Sequence, residues 1–230
     1  MAEKPTVLVV GASRGLGFAL AEEYVRRDWN VIATVRGSST QLDELKSRYR
    51  DNIEIERGIE VADAQSVRTL RERLSGRTLD VLFVNAGIAR SIEKTPSTAT
   101  ERDFLDMMLV NAFSPVRLIE MLEDVVAVDG TIAVMSSELG SIANNNGFWD
   151  LYSSSKSALN MLMKCYLGHR PDNRRALLLV APGWVRTEMG GTDAMFSVDE
   201  SIPLVVDVVT RNQGKMGLRF IDRFDEVLPW

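Results

Sequence analysis

Tyr152 and Lys156 stand four residues apart at the head of an apolar-periodic segment, Leu151-Tyr152-Ser153-Ser154-Ser155-Lys156-Ser157-Ala158-Leu159. On a helix, positions i and i+4 share a face. A phenol beside an ammonium builds a proton donor. The unperturbed Tyr pKa is about 10, and a neighbouring positive charge favours the phenolate and lowers it. A Tyr tuned in this way gives a proton to a carbonyl oxygen or takes one from an alcohol. The same spacing occurs on ordinary helix surfaces, so its meaning depends on the elements that position it.

Those elements are short apolar runs alternating with helical patterns. Strands are expected at 6–10, 31–35, 53–55, 81–84, 131–135, 176–180 and 217–221. Helices are expected at 16–27, 41–49, 66–74, 103–126, 152–168 and 198–209. Strand-helix alternation implies an α/β fold: a Rossmann-type, doubly wound, mostly parallel seven-stranded sheet with helices on both faces. At 230 residues, with no internal repeat or linker, the chain reads as one domain over 1–230.

Composition narrows the chemistry. The chain is 45% hydrophobic with a formal net charge of −5, which argues against nucleic acid as a partner. No apolar run is long enough to span a membrane. Residues 1–5 lead into a strand without a signal-peptide core, so a cytoplasmic location is expected. Cys165 is the only cysteine, which excludes an intrachain disulfide; inside an apolar helical stretch it reads as a small buried side chain. His169, the only histidine, stands beside Arg170-Pro171 and reads as a capping or surface residue. One His and one Cys give no zinc site and no Cys/His nucleophile, so no metal is expected.

Gly11-Ala12-Ser13-Arg14-Gly15-Leu16-Gly17 follows the first strand and opens the first helix, the context in which a glycine-rich loop binds a dinucleotide. Gly11 allows the tight turn, Gly15 lets backbone approach a pyrophosphate, and Gly17 lets helix pack on strand. The helix N-terminus supplies N–H groups for phosphate. NAD readers carry an acid near the end of the second strand; here that strand ends in Arg36, followed by Gly37-Ser38-Ser39. Arg14 and Arg36 suit a 2′-phosphate. NADP(H) is therefore the expected cofactor, with NAD(H) left open.

These residues together resemble the short-chain dehydrogenase/reductase family over nearly the whole chain. The motifs occur in family order: the loop 11–17, Asn85-Ala86-Gly87, Asn111, Ser136-Ser137, Tyr152-x-x-x-Lys156, and Pro182-Gly183-Trp184-Val185-Arg186-Thr187. Three stretches look like the sniffer and C-factor type of carbonyl reductase: 28–34, 182–191 and Leu228-Pro229-Trp230.

The resemblance implies hydride transfer between a nicotinamide and a carbonyl or alcohol substrate. Tyr152 would be the general acid/base, with Lys156 lowering its pKa and bonding the nicotinamide ribose. Ser137 would bond the substrate oxygen. Asn111 would hold a water in a proton relay through Lys156. Gly11, Ser13, Arg14, Gly15, Leu16 and Gly17 would cradle the phosphates, and Arg36 the 2′-phosphate. Glu60 and Val61 stand where the family has Asp-Val beside the adenine. Asn85, Ala86 and Gly87 would run beside the cofactor, and Pro182, Gly183, Val185 and Thr187 would meet the nicotinamide.

The resemblance further implies a homodimer or homotetramer, in which helix 103–126 and the Tyr152 helix pair with their copies. The chain departs from the family pattern in a longer gap between Ser137 and Tyr152, in Ala181 where His often precedes Pro-Gly-Trp, and in a short segment after Thr187, which suggests an open substrate site. Phe148, Trp149, Trp184, Met189 and Met195 are candidates for an apolar pocket wall suited to a ketone, aldehyde or quinone. The alternative is a dinucleotide-binding regulator of the same fold without turnover; the presence of both Tyr152 and Lys156 favours the enzyme.

Overall fold

A computed structural model describes residues 4–230; residues 1–3 lie outside them. Seven strands form one sheet: β1 (Thr6–Val10), β2 (Asn30–Val35), β3 (Ile53–Arg57), β4 (Leu79–Val84), β5 (Val126–Met135), β6 (Ala176–Ala181) and β7 (Gly217–Asp222). Their spatial order is β3-β2-β1-β4-β5-β6-β7, and every neighbouring pair is parallel. The expected "mostly parallel" sheet is thus wholly parallel. Strand order reverses between β1 and β4, so the crevice for a ligand opens at the C-terminal ends of those two strands.

The strands form because they are buried on both faces, which is why they read as continuous apolar runs. In β1, Val7 and Val9 face one core cluster while Leu8 and Val10 face the other. The first cluster holds Leu20 of α1 (Gly15–Arg26), Leu42 and Leu45 of α2 (Thr40–Arg48), and Val205 of α7 (Val198–Arg211). The second holds Leu70 of α3 (Ala64–Arg73), Ile119 of α5 (Ser114–Leu122), and Met163 of α6 (Asp150–Gly168). The remaining helix, α4 (Glu101–Met108), contributes Met107 to a small third cluster with Leu151 and Tyr152. Helix starts are set by local chemistry. Asp63 accepts from the Gln65 and Ser66 N–H groups, and Ser197 forms a capping box with Glu200.

Three expectations need correction. The single helix read over 103–126 is interrupted: between α4 and α5 lies a π-helical turn, Leu109–Phe113, and after α5 a 3₁₀ turn, Glu123–Val125. The Ser114 N–H bonds Leu109 C=O, five residues back. Pro115 has no N–H to give to the Asn111 carbonyl four residues back, so the α-helical ladder cannot run through this point. Strand β5 starts five residues earlier than read, at Val126, with a register shift against β4 between Leu79 and Val81. Cys165 is exposed, not buried. The inward face of α6 is defined by Leu159, Met163 and Tyr166, and Cys165 falls off that stripe. His169 caps the α6 C-terminus, its N–H bonding Cys165 C=O at 3.1 Å, as read from sequence.

The glycine loop joins β1 to α1 with no spare room. A Cβ on Gly17 would stand 2.0 Å from Gly11 O and 2.5 Å from Asn85 Nδ2. Gly17→Ala should therefore force the loop apart and lower stability by about 1–3 kcal/mol, as overpacking does. Thermal unfolding of the protein without ligand checks this, and an unchanged midpoint would show that the loop gives way freely.

Candidate active site

The site is assembled where β5 ends and α6 begins. After Met135 the chain passes through Ser136 and Ser137 into a 3₁₀ turn, Glu138–Gly140. Ser137 caps that turn, its Oγ accepting from Leu139 N–H at 3.2 Å. The asparagine-rich stretch before α6 folds on itself: Asn145 Oδ1 accepts from the Gly147 and Phe148 N–H groups at 2.8 and 3.2 Å. Trp149 then takes a left-handed backbone (φ 54°), and the first turn of α6 presents Tyr152. The Trp149 and Tyr152 rings meet edge to face, 5.5 Å apart.

Tyr152 and Lys156 share the inward face of α6, 9% and 4% exposed. The Lys156 ammonium donates to Met135 C=O at 2.8 Å and lies 5.6 Å from the Tyr152 ring centroid. Burial pushes the Tyr152 phenol up to about 12, with the adjacent Ser137 hydroxyl pulling the other way. Burial also brings Lys156 down to about 8. This runs against the expectation that Lys156 lowers the Tyr152 pKa. Both groups are desolvated, and loss of water around the phenol sets the direction of its shift, while the Lys156 hydrogen bond goes to a backbone carbonyl.

Asn111 sits in the π turn, fully buried. Its Oδ1 accepts from Ile88 N–H at 2.8 Å, and its Nδ2 donates to Ile88 C=O at 2.8 Å and to Ser155 Oγ at 3.0 Å. The amide pins the segment after β4 to α6.

Residues 85–87 connect this corner to the glycine loop. Asn85 Nδ2 donates to Gly11 C=O at 2.9 Å. Gly11 (φ +85°) leaves a Cβ position only 2.8 Å from Ala86 Cα. At the other end, a Cβ on Gly87 would lie 3.3 Å from Asn111 Oδ1 and 3.8 Å from Lys156 Nζ. A bare-backbone floor thus runs from the loop to Lys156. With the α1 N-terminus opening beside it, the cradle has the form of a dinucleotide site. Arg14, Gly15 and Leu16 lie at the start of α1, and Ser13 C=O accepts from Ser39 Oγ at 2.7 Å.

The rest of the predicted binding set lies around the same rim. Arg14 pairs with Glu188, and Arg36 lies 3.4 Å from Glu60; all four side chains are exposed. Glu60 Oε1 also accepts from Ala62 N–H at 3.3 Å, next to buried Val61. After β6, Pro182 C=O accepts from Ser201 Oγ at 2.7 Å, and Gly183 (φ +83°) packs on the Arg223 guanidinium. Val185 bridges to Phe196, closing the short segment after Thr187 into a loop. Thr187 approaches the glycine loop, its Cγ2 lying 3.7 Å from a Cβ position on Gly15.

Of the candidate pocket residues, Phe148 and Trp149 stack at 5.5 Å and line a cleft of about 330 Å³ with Ile92, Lys94 and Thr95. Trp184, Met189 and Met195 are exposed on the loop after β6, where Trp184 Nε1 bonds Gly190 C=O at 2.8 Å. A larger groove of about 910 Å³ runs along the N-terminal ends of β1–β3, on the opposite rim from all of these residues. Sequence reading missed Thr34 and Ser155. Buried Thr34 accepts from Gly11 N–H at 3.1 Å, a cross-strand contact with no local signal. Ser155 links Asn111 Nδ2 to Tyr152 C=O, to which it donates at 2.7 Å, and its place between Tyr152 and Lys156 was a readable hint. Among the described residues no group of three or more His, Cys, Asp or Glu is placed to hold a metal, and no helix is long and apolar enough to cross a membrane.

A parallel sheet with a glycine-loop cradle at its switch point defines a Rossmann-type dinucleotide-binding protein. Residues 5–195 match the family model for short chain dehydrogenase, and the chain belongs to that family of oxidoreductases. Its likeness within the family is to the sniffer and C-factor type. A structure from Burkholderia multivorans, described as a short-chain dehydrogenase/reductase with bound NADP, is 44% identical. It superposes with a TM-score of 0.97 over 99% of this chain and 100% of that one. A carbonyl reductase from Pseudomonas aeruginosa PAO1 in complex with NADP is 35% identical, with a TM-score of 0.91 over 99% and 100% of the two chains. The carbonyl reductase Sniffer of D. melanogaster is 26% identical, with a TM-score of 0.87 over 99% and 100%.

Proposed function

We propose that the chain reduces a carbonyl group, or oxidises the corresponding alcohol, with NADP(H) as its preferred cofactor. The observation that carries this reading is the Tyr152 phenol beside the Ser137 hydroxyl, with Lys156 buried behind them at the end of the 85–87 floor. When bound, the nicotinamide supplies or accepts the hydride.

The chain's own residues manage the oxygen and its proton. Burial keeps Tyr152 in its acid form, and it protonates the carbonyl oxygen during reduction. Ser137 donates a second hydrogen bond to the developing oxyanion. Lys156 contributes positive charge and bonds the nicotinamide ribose, and Asn111 carries the water of the proton relay. The α1 N-terminus and residues 11–17 take the pyrophosphate. Glu60 and Val61 border the adenine, and Pro182, Gly183, Val185 and Thr187 border the nicotinamide. The apolar Phe148 and Trp149 beside Tyr152 suit an aromatic or aliphatic ketone, aldehyde or quinone.

The NADP preference rests on Arg14 and Arg36 and on relatives solved with that cofactor. Both arginines face carboxylates, yet exposed ion pairs contribute only about 0–1 kcal/mol, so a 2′-phosphate can take their place. NADPH should bind more tightly than NADH, with Arg36→Ala reducing the difference. Titration by nucleotide fluorescence reads this, and equal or tighter NADH binding removes the preference.

We further infer self-association. Phe104, Leu105, Leu109 and Phe113 expose apolar side chains along α4 and the π turn, as does Met161 on α6. Sedimentation should show a dimer or tetramer that Leu105→Glu weakens; a wild-type monomer at micromolar concentration refutes it.

Tyr152→Phe should retain NADPH binding and lose turnover by roughly 10²–10⁴-fold. The pH dependence follows from the two buried groups. Tyr152 stays protonated through neutral pH, whereas Lys156 loses its charge as pH rises through about 8. Reductive kcat/KM should therefore be flat below about 8 and fall above it. Steady-state rates with a carbonyl panel measure both, and near-normal turnover in Tyr152→Phe would defeat the reading.

A further inference from the structure

We propose that Asn160 is a positioning residue: by bonding Ser136 and Gly140 together, it holds the turn carrying Ser137 against Tyr152. The inference rests on the carbonyl-reductase reading for the role of Ser137, but its geometry stands alone.

Asn160 lies on α6 one turn beyond Lys156 and is 3% exposed. Asparagine is a weak helix former, and a buried amide costs free energy unless its polar atoms are paired. An apolar side chain would fill this place in the second core cluster without either penalty. Asn160 uses both ends of its amide. Its Oδ1 accepts from Ser136 Oγ at 2.8 Å, and its Nδ2 donates to Gly140 C=O at 3.2 Å. Ser157 Oγ donates to the same carbonyl at 3.0 Å.

The two contacts of Asn160 bracket Ser137. One grips the residue before it, and the other grips the residue that closes its 3₁₀ turn. The turn is also pressed directly on α6. A Cβ on Gly140 would stand 3.0 Å from Asn160 Nδ2 and 3.1 Å from the Lys156 carbonyl carbon. Ser137 is thus referenced to the same helix that carries Tyr152 and Lys156. The arrangement also separates the two adjacent serines. The Ser136 hydroxyl is buried and consumed by Asn160, which leaves Ser137 as the one beside the phenol.

Asn160 touches neither reacting group, so its effect must pass through Ser137. Asn160→Leu should lower kcat for carbonyl reduction by about 10–100-fold, the scale set by small misplacements near the reacting atoms. NADPH affinity should stay at the wild-type value. In a Ser137→Ala background the same change should add no further loss, because the group it positions is gone. Amide hydrogen exchange should show the 139–141 amides exchanging faster in Asn160→Leu while the α6 amides stay protected. If Asn160→Leu does not fold, Ser136→Ala removes one arm of the clamp and should give the same pattern to a smaller degree. Full additivity with Ser137→Ala, or a turn that stays protected in the variant, overturns the clamp. A wild-type protein that reduces no carbonyl in the panel refutes the enzymatic reading instead, and the exchange result then still decides the clamp.

Discussion

An ammonium held out of water is the constraint on which the rest of this structure depends. Lys156 is nearly fully buried, and its ammonium is given one backbone carbonyl, Met135, as partner. A buried cation is tolerated only if its surroundings are rigid and polar in the right place. The parallel sheet supplies that rigidity. Met135 is the last residue of β5, and its neighbour Ser136 continues the β6 ladder through a 2.8 Å bond to Val180 C=O. The floor at 85–87 is tied to β1 through Asn85 and Gly11. Each contact uses the C-terminal rim of a strand, where backbone groups leave the ladder and become free for side chains and ligands.

The same constraint explains why the Tyr152 environment differs from the sequence expectation. A motif with four-residue spacing shows that Tyr152 and Lys156 share a helix face, but not how much water each retains. Desolvation acts on both groups, raising the phenol and lowering the ammonium. Burial therefore keeps the phenol protonated through neutral pH. At the π turn the Asn111 side chain anchors Ile88, its Oδ1 accepting from the Ile88 N–H.

How much of this was legible depends on how local each signal is. The strands were readable because burial on both faces writes apolar runs into the chain. The early half of β5 was not, because only Val126 pairs there, with Leu79, and the register shifts before Thr131 meets Val81. The break in helix 103–126 left the apolar pattern intact, since a π turn shifts the face by a fraction of a turn. Pro115 was the available clue, and its consequence appears four residues earlier, at Asn111. The shared inward face of Tyr152 and Lys156 and the close packing of the glycine loop were legible because both follow from spacing within a few residues. Thr34 and the pairing of Arg14 with Glu188 were not, because each joins segments distant in sequence.

Asn160 belongs between these cases. It shares the α6 face that carries Lys156, so periodicity alone places it toward the sheet. An amide at a core-facing position conflicts with both helix propensity and burial, and such local conflicts concentrate at functional sites. Its partners resolve the conflict: the polar atoms at the end of β5 need donors and acceptors that no strand supplies, and α6 provides them from one side chain. The helix that carries Tyr152 therefore also bears the contacts that bracket Ser137. This ties Tyr152 and the turn that carries Ser137 to one helix.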